Sequence, residues 1–264
     1  MLDMRIALLS DIHGNSIALD AVLADIENRG GVDAFWVLGD LVALGHDPIG
    51  VLQRLSALPN ARFVRGNTDR YVVTGDRPPP TFVDVKTNPQ LLPVLVELAG
   101  TFAWTQGALT AAGWLHWLAD LPLELHEVLP DGTRFLGVHA APGADDGRGI
   151  APDADETELH ALLSGCEEGL ICAGHTHWPL DWHVNSKHVV NLGSVSNPAP
   201  PDLRASYAIL SAEESGYRIQ QHRVDYDREA VIMTLQLMRH PGADFIIKHM
   251  RGQRIPRWLQ VAQP

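Results

Sequence analysis

Positive charge is what this chain has least of. Its 264 residues hold 20 lysines and arginines against 32 aspartates and glutamates, a formal net charge of −12. A non-specific nucleic-acid binder needs the opposite sign, because phosphate contacts are made by Lys and Arg. That class is excluded, and any region that attracts anions must be local. Cysteine is scarce too. Cys166 and Cys172 form no CxxC pair and are too few for a zinc site or a disulfide framework, so both read as small apolar side chains in a reducing compartment. No stretch approaches the ~18 apolar residues of a membrane span. The apolar run 6–9 is flanked by Asp3, Arg5 and Asp11 and is too short for the core of an export signal. We therefore expect a cytoplasmic protein with no membrane partner; a homo-oligomer is left open. Familiar catalytic signatures are missing as well. There is no GxxxxGK(S/T) loop, no GxSxG elbow and no HExxH. Asp11 to Asn15 stand where a Gly-rich dinucleotide fingerprint would follow the first strand.

What is present is globular: 45% hydrophobic and 20% charged residues suit a closed core. The apolar runs 5–10, 34–38 and 61–64 read as strands. Between them lie a helix through Leu19, Val22, Leu23 and Ile26, capped by Asn15 or Ser16, and a short helix starting at Asp47-Pro48. This β-α-β-α-β order predicts a mostly parallel sheet with helices packed on it. Residues 75–121 break the pattern and read as a helical insertion in a single domain spanning 1–264. Within it, Leu91, Val94, Leu95 and Leu98 form one apolar face, and Trp114, Trp117, Leu118 and Leu121 another. The helical spacing assigns Trp104, Trp114 and Trp117 to the core rather than to a substrate wall. Strands return at 123–128, 133–138, 170–173, 182–184 and 187–192, followed by a hairpin over 207–211 and 217–223. Val231, Leu235 and Met238 mark a last helix, capped by Asp225 or Asp227. From Gly242 onward the pattern gives no assignment.

Five polar clusters each follow an apolar run: Asp11-Ile12-His13, Gly39-Asp40, Gly66-Asn67-Thr68-Asp69, His139, and Gly174-His175-Thr176-His177. In open α/β sheets the carboxyl ends of the strands converge on one crevice. Asp11 and His13 are two apart, as are His175 and His177, so extended backbone would point each pair the same way. Gly39, Gly66 and Gly174 precede ligands where the chain must turn or pass close to an ion. Carboxylate, amide and imidazole donors suit Mn²⁺, Fe²⁺ or Zn²⁺. Each piece alone is weak: a single histidine after a strand is more often a hydrogen-bonded core residue, and GD and GN are ordinary turn dipeptides. Their coincidence at five strand ends points to a metal site of Asp11, His13, Asp40, Asn67, His139, His175 and His177.

These motifs, with the opening Asp11-Ile12-His13-Gly14-Asn15 and the passage from Val189 to Ser194, resemble the calcineurin-like metallophosphoesterase superfamily, in particular its small bacterial and archaeal phosphodiesterase branch. The motifs run from Asp11 to Asn197, so the resemblance covers most of the chain. It implies an α/β (α+β type) fold, a four-layer α/β/β/α sandwich. It implies two divalent ions: Mn²⁺ first, with Fe, Zn or Ni as alternatives. Asp11, His13, Asp40 and His177 would hold one ion, and Asp40, Asn67, His139 and His175 the other. Two such ions, two carboxylates and a bridging hydroxide leave a local charge of about +1, enough to attract a phosphate ester in an acidic chain. Direct attack by that hydroxide, with inversion at phosphorus, is the implied chemistry.

The expected activity is hydrolysis of a small phosphate ester, foremost a phosphodiester. Asp40, Asn67, Asp69 and His139 form the catalytic set, and Asn67, Arg70 and His46 contact substrate. A protein phosphatase, a dinucleoside polyphosphate hydrolase, or a non-catalytic interaction scaffold are the alternatives. The chain departs from the family pattern at Thr68, where many members carry a histidine that protonates the leaving oxygen. A hydroxyl is too weak an acid for this. Thr68 therefore predicts, first, an ester that leaves easily, with His46 as proton donor or slow turnover as the alternatives. The insertion 75–121 follows the third motif, which puts it in a position to roof the site and select substrate. Asn15, Asn191 and Ser194 are expected to support the imidazoles.

Overall fold

Strands that are apolar on both faces set the layering. In β1 (Met4–Leu9), Ile6 and Leu8 belong to one cluster and Ala7 and Leu9 to another, and all four are fully buried. A strand buried on both sides must lie between two layers. The computed structural model describes residues 3–254 and 256, and in them two five-stranded sheets pack face to face. The first has the order β10-β9-β1-β2-β3, with β2 Ala34–Leu38, β3 Ala61–Val64, β9 Ala205–Glu213 and β10 Gly216–Val224. The second has the order β4-β5-β6-β8-β7, with β4 Glu124–Val128, β5 Arg134–Val138, β6 Leu170–Ala173, β7 Leu180–Val184 and β8 Lys187–Asn191. Ile6, Leu8, Trp36 and Leu38 of the first sheet meet Phe135, Leu170, Cys172 and Val190 of the second.

Helices cover both outer faces. On the first sheet lie α1 (Ser16–Asn28), α2 (Pro48–Ser56), α3 (Asn67–Thr74), α5 (Leu92–Ala111) and α6 (Leu115–Ala119), which share one core with Ala7, Leu9, Phe35 and Val37. The short α4 (Phe82–Thr87) precedes α5 and buries no residue. On the second sheet, Leu159 of α7 (Glu156–Leu162) packs on Leu136, Val138 and Ile171. Helices α8 (Arg228–Leu237) and α9 (Ala243–Met250) form a pair with a core of their own. This is the four-layer α/β/β/α arrangement. No helix among the described residues is long and apolar enough to cross a membrane.

The local chemistry is as read in several places. The Asn15 side chain accepts from Ala18 N at 3.0 Å and caps α1. Asp47 caps α2 with Pro48 in its first turn, and Asp227 caps α8. Trp114 and Trp117 pack edge to face, with Phe63 against Trp117, and Trp104 lies edge-on to His240.

Three expectations change, and one unassigned stretch is filled. The sheets are not mostly parallel: four of the eight strand pairings among the described residues are antiparallel. Three of these join strands linked by a tight turn, which can only pair that way. Val94 is 40% exposed, because a 3-10 turn at Pro89–Leu91 precedes α5 and the helix instead buries Leu98, Thr101, Phe102, Thr105 and Leu109. Met238 is 41% exposed, since α8 ends one residue before it. And α9 occupies part of the tail that the sequence pattern left unassigned.

Candidate metal centre

Strands β1, β2 and β3 of one sheet and β5 and β6 of the other end on the same rim, just before Asp11, Asp40, Asn67, His139 and His175. The side chains meet there in two groups. In the first, His177 Nε2 lies 3.1 Å from Asp11 Oδ1 and 3.2 Å from His13 Nε2, and His13 Nε2 lies 3.7 Å from Asp40 Oδ2. In the second, His139 Nε2 lies 3.4 Å from Asp40 Oδ1, and Asn67 Oδ1 is 3.1 Å from both His139 Nε2 and His175 Nδ1. Asp40 turns one oxygen to each group.

The donor atoms suit cations. Each imidazole places its other nitrogen against a backbone carbonyl: His13 Nδ1 on Ala43 O, His139 Nδ1 on Leu38 O, His177 Nδ1 on Asn197 O and His175 Nε2 on Gly147 O, at 2.7–3.0 Å. A carbonyl only accepts, so in the neutral ring that nitrogen carries the proton and the inward one presents a lone pair. The inward nitrogens of His13 and His177 then face each other, and Asp11 Oδ1 is buried with no hydrogen-bond partner. Such a set of acceptors needs a cation among them. Oxygen and nitrogen donors without thiolate fit a borderline divalent ion.

The backbone that presents these groups is unusual. Asp11, His13, Asp40, His175 and His177 all have φ between 50° and 67°, a left-handed region that costs a side-chain-bearing residue roughly 1–2 kcal/mol. Asp11 with His13, and His175 with His177, therefore converge through tight left-handed turns and not through strand alternation. Hydrogen bonds hold the turns: Asp11 N to Gly39 O, His13 N to Asp40 O, Ser196 N to Asp11 O and His175 N to Asp11 Oδ2. The glycines matter for space. A Cβ on Gly66 would lie 2.0 Å from Asp40 Oδ1, and one on Gly174 would lie 1.9 Å from Ser10 Oγ.

The electrostatics follow from burial set against pairing. Burial would raise Asp40, but the surrounding imidazoles of His139, His13 and His175 hold it far below the usual carboxylate range. Burial would lower His139, but Asp40 beside it lifts it to about 10. In the same way Asp11 lowers and His177 rises, each dominated by the other against burial. Burial prevails at His13 and His175, which both fall.

Other expected residues sit elsewhere or are otherwise engaged. Asp69 is fully buried, with Oδ1 accepting from Leu41 N and Oδ2 from Gly66 N, both at 2.9 Å. It fastens the backbone beside Asp40 to that beside Asn67, and burial together with Asp40 pushes its carboxyl up to about 7. Arg70 already donates from every guanidinium nitrogen, to Asp145, Asp146 and Asp76. His46 is buried in the loop after Asp40, 3.4 Å from Ser16 Oγ. The Thr68 amide donates to Asp40 Oδ1 at 2.9 Å. Asn15, Asn191 and Ser194 make no hydrogen bond to the clustered imidazoles: Asn15 caps α1 and meets Ser196, Asn191 donates to Gly174 O, and Ser194 donates to Asp11 O. They hold the ligand loops through the backbone.

A cavity of about 660 Å³ opens beside His175 and His177. No residue of 75–121 lines it; Arg148, Asn197, His249 and Arg254 do, so the insertion does not roof the site there. Sequence reasoning missed His249 and Arg254. Their signal was the spacing of Ile246 and Met250, which marks α9 and its buried face.

A four-layer sandwich whose strand ends gather this His–Asp–Asn set has the build of a metal-dependent phosphoesterase. Comparison with known proteins agrees. A model of the calcineurin-like phosphoesterase superfamily domain matches residues 4–215. An uncharacterized protein of Methanocaldococcus jannaschii is 30% identical over 279 residues, covering 98% of this chain and 97% of that protein. The structure of a metallophosphoesterase from Sphaerobacter thermophilus is similar with a TM-score of 0.74 at 25% identity, over 96% of this chain and 100% of that one. A symmetrical bis(5'-nucleosyl)-tetraphosphatase of Pectobacterium carotovorum is 38% identical over 71 residues, 26% of this chain and 25% of that protein. The chain belongs to the calcineurin-like phosphoesterase superfamily.

Proposed function

We propose that this chain is a metal-dependent phosphodiesterase acting on a small phosphate ester, with two divalent ions held at the strand ends. The observation that carries the reading is Asp40: its Oδ2 faces His13 at 3.7 Å and its Oδ1 faces His139 at 3.4 Å, so one carboxylate is shared by two donor groups. Ions bound there would activate a water molecule and draw negative charge from the phosphoryl oxygens. The chain's own part is to orient. Four carbonyls fix the histidine tautomers, Asp69 fixes the loops of Asp40 and Asn67, and the Thr68 amide holds Asp40 Oδ1. Histidines and Asn67 bring no charge as neutral ligands, so only Asp11 and Asp40 oppose the ions and a phosphate anion is accepted despite the net charge of −12. Mn²⁺ is our choice of ion, with Fe, Zn and Ni as alternatives. The two free thiols support a reducing, cytoplasmic setting.

The test is direct. Purified chain with added Mn²⁺ is expected to hydrolyse an aryl phosphodiester, and Asp40→Ala or His139→Ala to abolish this. Inactivity of the metal-loaded protein on a panel of diesters and monoesters would overturn the reading, and a folded chain that takes up no metal would favour a scaffold role. A second reading, hydrolysis of dinucleoside polyphosphates at the same site, draws support from the local similarity to the tetraphosphatase.

A further inference from the structure

The insertion reaches the site through another element. Glu97 Oε1 on α5 accepts from Phe245 N at 2.7 Å, in the first turn of α9. Just before that turn, Gly242 packs so closely on α5 that a Cβ there would lie 2.1 Å from Thr101 Oγ1. Helix α9 is thus seated on α5 at its start, and at its end it runs beside the metal ligands, with the His249 ring centroid 6.4 Å from that of His177. Phe245 braces what α9 delivers. Its ring lies 5.1 Å from that of His249, and the Arg254 guanidinium sits 4.3 Å over it. A guanidinium held over an aromatic face is oriented before any ligand arrives.

Arg254 also differs from the other cation of the cavity. Arg148 is paired with Asp153 and Glu158. Arg254 has no carboxylate within ion-pair distance among the described residues, although the chain carries 32 acidic side chains. The cavity it lines, at about 660 Å³, is far larger than one phosphoryl group requires, and Pro198, Ala199 and Pro256 give it an apolar side. Pockets of this size hold whole small ligands. A pre-oriented guanidinium with no close ion pair, on which the Glu97 carboxylate acts only from beyond that distance, matches the planar, two-point geometry of a phosphoryl group.

We propose that Arg254, with His249 beside it, binds a second phosphoryl group, so that the preferred substrates are phosphate esters that carry a further phosphate beyond the one cleaved. The proposal rests on the phosphoesterase reading above, and it makes α9 a specificity element that α5 holds in place.

Binding to the metal-free chain tests it without relying on turnover. ADP and AMP, which differ by one phosphoryl group, are titrated calorimetrically into wild type, Arg254→Ala and Arg254→Lys after dialysis against a chelator. Wild type is expected to prefer ADP by about ten-fold, Arg254→Ala to lose the preference, and Arg254→Lys, which keeps the charge but not the fork, to retain part of it. Equal preference in wild type and Arg254→Ala, with both melting alike, would overturn the proposal, and so would a wild type that does not distinguish the two nucleotides. Failure of the phosphoesterase reading would show differently, as Mn²⁺-loaded wild type that cleaves no ester whatever it binds.

Discussion

The Nε2 atoms of His13 and His177 lie 3.2 Å apart, and each ring commits its other nitrogen to a backbone carbonyl. Two lone pairs at that separation repel unless a cation or a proton lies between or beside them. In the metal-free chain Asp11 favours the protonated form of His177 against its burial, and in the other group His139, raised to about 10 by Asp40 against its burial, carries a proton at neutral pH. Metal ligation requires the neutral ring. Loading the site near pH 7 must therefore release protons, and metal affinity must rise with pH.

Stability follows with opposite signs in the two states. The folded His139 value lies above its unfolded one near 6.5. Its contribution to the metal-free chain is thus fully present below pH ~6.5 and is lost as pH rises toward about 10. We expect the melting temperature of the chelator-treated chain to fall across that window, and the stabilisation by Mn²⁺ to grow across it. Calorimetry in two buffers of different ionisation enthalpy would count the protons released. A count of zero near pH 7 would refute this account of the site.

Asp69 gives a second prediction. Both of its oxygens accept backbone N–H groups, from Leu41 and Gly66, which neighbour Asp40 and Asn67 in the chain. Asp69→Asn keeps the shape but sets an NH₂ group against one of those donors, a buried mismatch worth about 1–3 kcal/mol. A residue that positions ligands in this way should weaken metal binding by roughly 10–100-fold when changed. We therefore expect a lower melting temperature and weaker Mn²⁺ binding, with activity largely recovered at saturating metal. Were Asp69 itself to move a proton in the reaction, metal affinity would hold while kcat fell.

How much of this was legible follows from what each signal encodes. The strand ends could be read because a polar cluster after an apolar run is a local pattern, and five of them in order exceed chance. The sheet mixture was underestimated because alternation and apolar runs say where a strand lies, not which neighbour it pairs with. The left-handed turns at Asp11, His13, His175 and His177 leave no trace in residue type, since they are imposed by bonds from distant loops. Arg70 looked free because its partners Asp145 and Asp146 are some 75 residues away in sequence. The spacing of Ile246 and Met250 could have marked α9, but the placing of His249 and Arg254 beside the site could not be read, because Thr101 and Glu97 seat the helix from across the fold.

Thr68 yields the last prediction. Its amide holds Asp40 Oδ1 at 2.9 Å, while its buried hydroxyl has no hydrogen-bond partner. The hydroxyl is too weak an acid to protonate a departing oxygen, so the leaving group must carry the developing charge largely unaided. The rate should then depend steeply on leaving-group acidity: p-nitrophenyl esters turn over readily, phenyl esters much more slowly and alkyl esters slowest. Because the contact to Asp40 is made by the backbone, Thr68→His preserves it and adds an imidazole at the same position. That variant should gain on alkyl esters by about 10²-fold, the lower end of what a positioned acid supplies, and change little on p-nitrophenyl esters. A wild type with no dependence on the leaving group would mean that another side chain already donates the proton. His249, which lines the cavity beside His177, would then be the first to replace.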